Sequence, residues 1–324
     1  MHRILRSTTA LSAAALLALA ACSTDGGGSG GGSADGDSLE IAIVSKGFQH
    51  QFWQAVNTGA QQAAEELGVT ITFEGPDTET DVEQQIQMLQ TAIDRGPDAV
   101  GFAALDSAAA EPLLLQAQDA GIPVVAFDSG VDSDVPVTTA ATDNYAAAEA
   151  AAEKMSELIG GTGKITVIAH DQTSSTGTQR RDGFVDWIEE NAPGIEIVDT
   201  QYGGDPADAA DIATAMFESH PDLAGIYGTN EGVATGVVNA ASTAGAQGVT
   251  IIGFDSGAAQ VEAIRSGLQA GAITQDPIGI GYETVKAAVA AVNGEDLPPT
   301  IDTGFYWYDA TNIDDEEIQA VLYE

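Results

Sequence analysis

Two copies of one tetrapeptide carry the first chemical hint in this chain. Phe127-Asp128-Ser129-Gly130 follows the apolar run Val124–Ala126, and Phe254-Asp255-Ser256-Gly257 follows Val249–Gly253. Each copy sets an acid at the carboxyl end of a buried-type strand, the end at which open α/β sheets hold their ligands. One such Asp in each half of the chain implies two lobes of like topology. Other clusters fail on their own chemistry. His170-Asp171 stands near Ser174 and Ser175, but no strand–Ser–helix elbow surrounds them. In Gly160-Gly161-Thr162-Gly163-Lys164, a phosphate loop would need Gly at Leu158 and a metal-binding Ser or Thr at Ile165. Gly279 and Gly281 make half a dinucleotide fingerprint. His2, His50, His170 and His220 show no metal-ligand spacing. Neither an enzyme nor any cofactor or metal is indicated.

Acids placed in this way need regular elements to hold them. From Leu39 onward, short apolar runs alternate with longer Ala-rich amphipathic stretches. Strands are expected at Leu39–Val44, Thr70–Phe73, Ala99–Ala103, Val124–Phe127 and Thr138–Ala140, with helices at Phe52–Leu67, Asp81–Asp94 and Ala108–Ala120. Gly68, Gly96 and Gly121 sit at the helix stops. The alternation resumes with strands at Ile165–Ala169, Glu196–Val198, Gly225–Tyr227 and Val249–Gly253, and helices through Phe184–Asn191 and Ala209–Ser219. Such alternation implies parallel sheets covered on both faces.

The chain opens on a different code. Arg3 and Arg6 precede a small, apolar run from Thr9 to Ala21, too short for a permanent membrane helix and typical of a signal-peptide core. Leu19-Ala20-Ala21-Cys22 resembles the lipobox of bacterial lipoproteins, which implies cleavage before Cys22 and acylation of that residue. Several acyl chains anchor stably where one binds marginally. Cys22 is the single cysteine, so no disulfide framework is possible. Ser23–Ser38 is Gly/Ser/Asp sequence, a tether with an r.m.s. reach of roughly 20 Å.

Composition narrows the partners. The chain is 44% hydrophobic, ample for real cores, and carries a net charge of −39. Loss of Arg3 and Arg6 with the signal peptide subtracts two positive charges and makes it −41. Such a surface repels phosphate backbones and anionic headgroups, which excludes nucleic acid as a partner.

The ordered landmarks from Ile41 onward resemble the type I periplasmic sugar-binding proteins, the group that includes the ribose-binding protein. They are Ile41–Val44 with Phe52-Trp53, Gly121-Ile122-Pro123-Val124 leading to Asp128, and Thr142-Asp143-Asn144. Further on come Arg180 to Phe184, His220-Pro221-Asp222, Asn230-Glu231, Gly253-Phe254-Asp255 and Gln275. The lactose-repressor family shares that fold, but here a signal peptide occupies the place of a DNA-reading headpiece. The resemblance implies two Rossmann-like α/β lobes joined by a three-crossover hinge. It implies residues 39–142 plus 276–304 in one lobe and 143–275 plus 305–324 in the other, behind a signal peptide (1–21) and a lipidated linker (22–38). It also implies a ligand site between the lobes. There Asp128 accepts sugar hydroxyls, Arg180 donates in a planar fork, and Asn230, Asp255 and Gln275 complete the polar set. Phe52 and Trp53 would offer apolar faces, Trp53 also its indole N–H, unless both simply pack at a helix start.

Departures from the ribose-binding pattern collect in the first lobe. Lys46 replaces a small hydroxyl residue, His50 an Asn, Ala103 an Asn and Ser129 an Arg. Lys46 would salt-bridge an acidic or phosphorylated ligand, or be merely solvated. The second-lobe aromatic falls near Gly203 or Gly204, beside Tyr202. The expectation is a monomeric, membrane-anchored extracytoplasmic receptor that closes on a monosaccharide and delivers it to an ABC permease. The alternative is a receptor of the same fold that passes a sugar or autoinducer signal to a membrane sensor.

Overall fold

The structure is a computed structural model that describes residues 38–48, 50–246 and 248–323. The expected signal peptide, Cys22 and the tether up to Asp37 lie outside the described residues. Among the described residues, no helix is long and apolar enough to cross a membrane.

The first lobe begins with β1 (Glu40–Val44), α1 (Gln51–Leu67), β2 (Thr70–Glu74), α2 (Val82–Asp94), β3 (Ala99–Phe102), α3 (Glu111–Asp119), β4 (Val124–Phe127) and β5 (Thr138–Ala141). The second lobe takes α4 (Asn144–Ile159), β6 (Gly163–Ala169), α5 (Ser175–Asn191), β7 (Ile195–Tyr202), α6 (Pro206–Ser219), β8 (Leu223–Gly228), α7 (Glu231–Ala244), β9 (Thr250–Phe254), α8 (Ala258–Arg265) and β10 (Gly271–Gln275). The chain then returns to the first lobe for α9 (Pro277–Val292) and β11 (Thr300–Asp302). It ends in the second with β12 (Phe305–Asp309) and α10 (Glu316–Gln319).

Strand order is β11-β5-β4-β3-β1-β2 in one sheet and β12-β10-β9-β8-β6-β7 in the other, the same winding twice. The sheets are parallel except at one edge, where β12 runs antiparallel to β10. That exception follows from the crossing. The strand β11 heads toward the hinge beside β5, and after the turn at Gly304 the chain can only run away from it.

Side-chain alternation explains why the sheets are covered on both faces. On β1, Ile41 and Ile43 join one core with α1 and α9, while Ala42 and Val44 join another with α2 and α3. Helix starts shift where capping chemistry overrides apolar periodicity. The helix α5 begins well before Phe184 because Ser174 Oγ accepts the Gly177 N–H at 3.0 Å. The start of α3 falls at Glu111, because Asp106 Oδ1 first holds Ala108 and Ala109 in a turn.

Gly281, half of the apparent dinucleotide motif, serves packing instead. It faces α1 so closely that an added Cβ would overlap the Val56 carbonyl, and Gly59 meets Ile278 in the same way from the other helix. Overpacking typically costs about 1–3 kcal/mol, and here only backbone can yield. Gly281→Ala should therefore lower the melting temperature by several degrees in a thermal denaturation scan, with ligand contacts untouched.

Candidate functional site

The two tetrapeptides adopt one conformation. Asp128 (φ 51°) and Asp255 (φ 78°) are the non-glycine residues at positive φ among the described residues. Each backbone N–H bonds the neighbouring strand, Asp128 to Ala140 O at 2.9 Å and Asp255 to Ile273 O at 2.6 Å. Asp tolerates this left-handed turn better than most residues. The turn aims both carboxylates off the strand ends and into the space between the lobes.

That space is a small cavity between the lobes. The eight residues expected as ligand contacts all line it: Lys46, Phe52, Trp53 and Asp128 from the first lobe, Arg180, Asn230, Asp255 and Gln275 from the second. They come from the carboxyl ends of β1, β4, β8, β9 and β10 and from the starts of α1 and α5. His50, Glu79, His170, Thr176 and Glu231 complete the wall.

Arg180 is the best-held member of the second lobe. Its guanidinium lies 3.7 Å over the Phe254 ring, donates to Asn144 Oδ1 (2.7 Å) and Thr229 O (3.0 Å), and sits 3.8 Å from Asp255. Asp255 also accepts from Gln275 Nε2 (2.7 Å) and from the Glu231 N–H (2.9 Å). Burial raises its carboxyl above the ordinary range, with Arg180 the chief opposing influence. Gln275 Oε1 is buried with no hydrogen-bond partner among the described residues. Asp128 differs again, for no hydrogen bond to its carboxylate is made by any described residue. Burial pushes it up to about 6, against the pull of Lys46 and Arg180. A buried, unbonded carboxylate opposite a guanidinium fork and an open amide oxygen suits a ligand bearing several hydroxyl groups.

Several expectations need correction. Lys46 is neither solvated nor free for an acidic ligand. It is buried, and its ammonium donates across the cleft to Ser174 Oγ (3.3 Å) and Thr176 Oγ1 (3.0 Å), with Asp171 at 3.8 Å. The Trp53 indole N–H is not offered to ligand, because Glu79 accepts it. Phe52 and Trp53 are core residues and cavity wall at once, edge to face at 4.9 Å. Asn230 Oδ1 caps α7 by accepting the Val233 N–H at 2.9 Å, so only its amide protons can face a ligand. Tyr202 does not line the cavity; Arg181 donates to its hydroxyl at 3.1 Å.

Three of the first-lobe departures, Lys46, His50 and Ser129, have a shared use, which is to meet the other lobe, while Ala103 packs within its own. Ser129 Oγ lies 3.2 Å from Ser175 Oγ, and the Gly130 N–H donates to that same Ser175 oxygen at 2.7 Å. His50 lies 3.7 Å from Glu79, which accepts from Asn230 of the opposite lobe. Glu231 reaches back to accept the Gln51 N–H (3.2 Å) and the Phe52 N–H (3.1 Å). It thereby caps α1, whose own N-cap residue His50 makes no side-chain cap bond. Burial, with Lys46 and Arg180 nearby, holds the His170 imidazole below its ordinary value despite Asp171. These contacts describe a closed cleft.

Comparison with known proteins agrees with this architecture. The family described as periplasmic binding protein domain matches residues 41–296. The D-ribose/D-allose-binding protein of Pseudomonas aeruginosa is 30% identical over 243 residues, covering 72% of this chain and 74% of its own. A carbohydrate transporter solute-binding protein from Agrobacterium radiobacter, solved with D-arabinose, superposes with a TM-score of 0.86 at 29% identity. It covers 88% of this chain and 99% of its own. An ABC transporter solute-binding protein from Agrobacterium vitis with bound D-fucose gives 0.85 at 34% identity, covering 88% and 100%. With its twice-wound fold and a cleft built from strand ends, the chain belongs to the periplasmic binding protein domain family, a family of transporter binding proteins and not of enzymes.

Proposed function

We propose that this protein is a lipid-anchored, monomeric extracytoplasmic receptor that captures a monosaccharide between its lobes and delivers it to an ABC permease. The observation that carries the ligand class is the buried, unbonded carboxylate of Asp128, which lines one cavity with Arg180 and with Gln275, whose Oε1 has no partner among the described residues. Vicinal hydroxyls satisfy all three at once, as donors to the two oxygen acceptors and as acceptors from the guanidinium. The aromatic pair Phe52 and Trp53 supplies a wall for the C–H face of the ring. The similar proteins, one named for D-ribose and D-allose and two solved with D-arabinose and D-fucose, support the same class.

Closure completes the site, because Asp128 belongs to one lobe and Arg180, Asn230 and Asp255 to the other. A ligand that touches both lobes binds the closed state better and shifts the population toward it. Cys22 supports the anchor and the stretch to Ser38 a tether, which together would hold the receptor close to its permease.

The test is a thermal-shift screen of the full chain against pentoses, hexoses, polyols and sugar acids. A hundredfold excess of ligand over Kd stabilises by about 2.7 kcal/mol, so a true ligand raises the melting temperature by several degrees. The reading predicts a shift with at least one neutral pentose or hexose. Absence of any shift across the neutral sugars would sink it.

A further inference from the structure

Glu79 plays no part in the sugar contacts assigned above, yet it sits at their junction. It lies between β2 and α2, in a stretch without regular structure, and its side chain is only 10% exposed. Three groups from two parts of the chain, the start of α1 and the start of α7, converge on it. The Trp53 indole N–H donates to Oε1, the His50 ring nitrogen Nε2 stands 3.7 Å from the same oxygen, and Asn230 Nδ2 donates to Oε2 from the opposite lobe at 3.3 Å. Burial alone would push this carboxyl up, but His50, Lys46 and the Trp53 bond outweigh it and hold it below its ordinary value. Glu79 is thus a charged acceptor at neutral pH, and a charged acceptor binds its donors more firmly than a neutral one.

The consequence falls on Trp53. A buried indole N–H left without a partner is costly, so the carboxylate selects the one ring pose that satisfies it. In that pose the indole meets Phe52 at 83° and Phe127 at 81°, edge to face with both. Sugar epimers differ in which hydroxyls stand axial, and therefore in the shape of the C–H face that can lie on an aromatic wall. A wall locked in one pose admits some epimers and rejects others, whereas a mobile wall adapts to each. The bond to Asn230 ties the same pose to cleft closure.

We propose that Glu79 is a positioning residue that sets which sugars this receptor accepts, by fixing the Trp53 indole and joining it to Asn230 across the closed cleft. This rests on the sugar-binding reading, and the experiment separates the two. Titration calorimetry with D-ribose, D-allose, D-arabinose, D-fucose and D-tagatose compares the parent with Glu79→Gln and Glu79→Asp. In parallel, 15N-labelled tryptophan reports the Trp53 indole resonance, identified by its loss in Trp53→Phe. Glu79→Gln should keep its melting temperature within a few degrees, move the Trp53 resonance, and change the affinity ratio between the two best sugars tenfold or more. Glu79→Asp, which keeps the charge, should restore part of that ratio. An unmoved indole resonance in Glu79→Gln, or the same loss of affinity for every sugar, overturns the proposal. If the parent binds none of the five, the two best sugars of the thermal-shift screen replace them; if that screen returns none, the sugar-binding reading fails, and an unmoved indole resonance in Glu79→Gln still overturns the hold on Trp53.

Discussion

Asp128→Asn is expected to abolish sugar binding while raising the melting temperature of the ligand-free protein. The carboxylate is buried and makes no hydrogen bond with any described residue, and its pKa stands at about 6 against an ordinary 3.8. Burial is the main cause, Lys46 and Arg180 offset part of it, and Asp255 and Glu79 add to it. A rise of this size makes the ionised form at neutral pH a liability of about 3 kcal/mol to the fold. The sign follows from proton counting. Between the two pKa values the folded chain holds a proton that the unfolded chain has lost, so stability falls as pH rises from about 4 to 6. Asn is nearly isosteric and carries no charge to desolvate, so the variant should melt several degrees higher at pH 7, and the advantage should vanish near pH 4. It cannot accept two hydroxyls as a carboxylate does, so the thermal shift on adding sugar should be lost. For the parent, affinity should hold steady above pH 6 and weaken below it. A variant that binds normally, or melts lower at pH 7, contradicts the site.

Arg180→Ala should lose both binding and stability. The guanidinium covers the Phe254 ring, satisfies Asn144 Oδ1 and Thr229 O, and is the chief counter-charge to buried Asp255. Removing one partner of a buried ion pair typically costs about 3–5 kcal/mol, because the other charge stays buried without compensation. Urea denaturation at pH 7 should show a loss of that order. Asp255 already titrates above its ordinary value, and without Arg180 it moves higher still. Acidification protonates it and removes the need for a counter-charge, so the gap between variant and parent should narrow as the pH falls. Arg180→Lys keeps the charge but not the planar fork, and should recover more stability than binding. An Arg180→Ala protein with undiminished urea resistance would mean that the guanidinium is not holding the second-lobe wall.

Much of this fold is readable along the chain, because strand and helix are local patterns. The run Ile41 to Val44 alternates between two cores on opposite faces of its sheet, and Gly68 ends α1 in the left-handed turn expected of it. The tetrapeptide echo is legible for the same reason, since a strand end and an Asp at positive φ are both short-range. The elements β11 and β12 are not legible: each is brief, and each is defined by the sheet it joins rather than by its own periodicity.

The site divides along the same line. The eight candidate contacts sit at strand ends and helix starts and line one cavity. Glu79 and Glu231 were missed as wall residues, because their partners lie 151 and 179 residues away across the cleft. Nothing local marks Glu79, and Glu231 reads as an ordinary acid in the first turn of α7. In the sequence His50 and Ser129 read only as departures from the ribose-binding pattern, and Lys46 reads as a ligand contact. They answer to groups on the other lobe, and their use appears once Ser174, Thr176, Glu79 and Ser175 stand opposite them.

The assembly of the cavity from two separately wound sheets bears on how a held sugar is let go. Neither half encloses the ligand alone, so its binding energy is shared between two bodies that can part. A sugar held at about 1 μM corresponds to roughly 8 kcal/mol, and an even division leaves roughly 4 kcal/mol on either half, an affinity near 1 mM. A transporter that pries the halves apart therefore weakens the grip about a thousandfold without touching the cargo. Release becomes a matter of rotation, and the same handover mechanism serves whichever sugar the walls have been cut to fit.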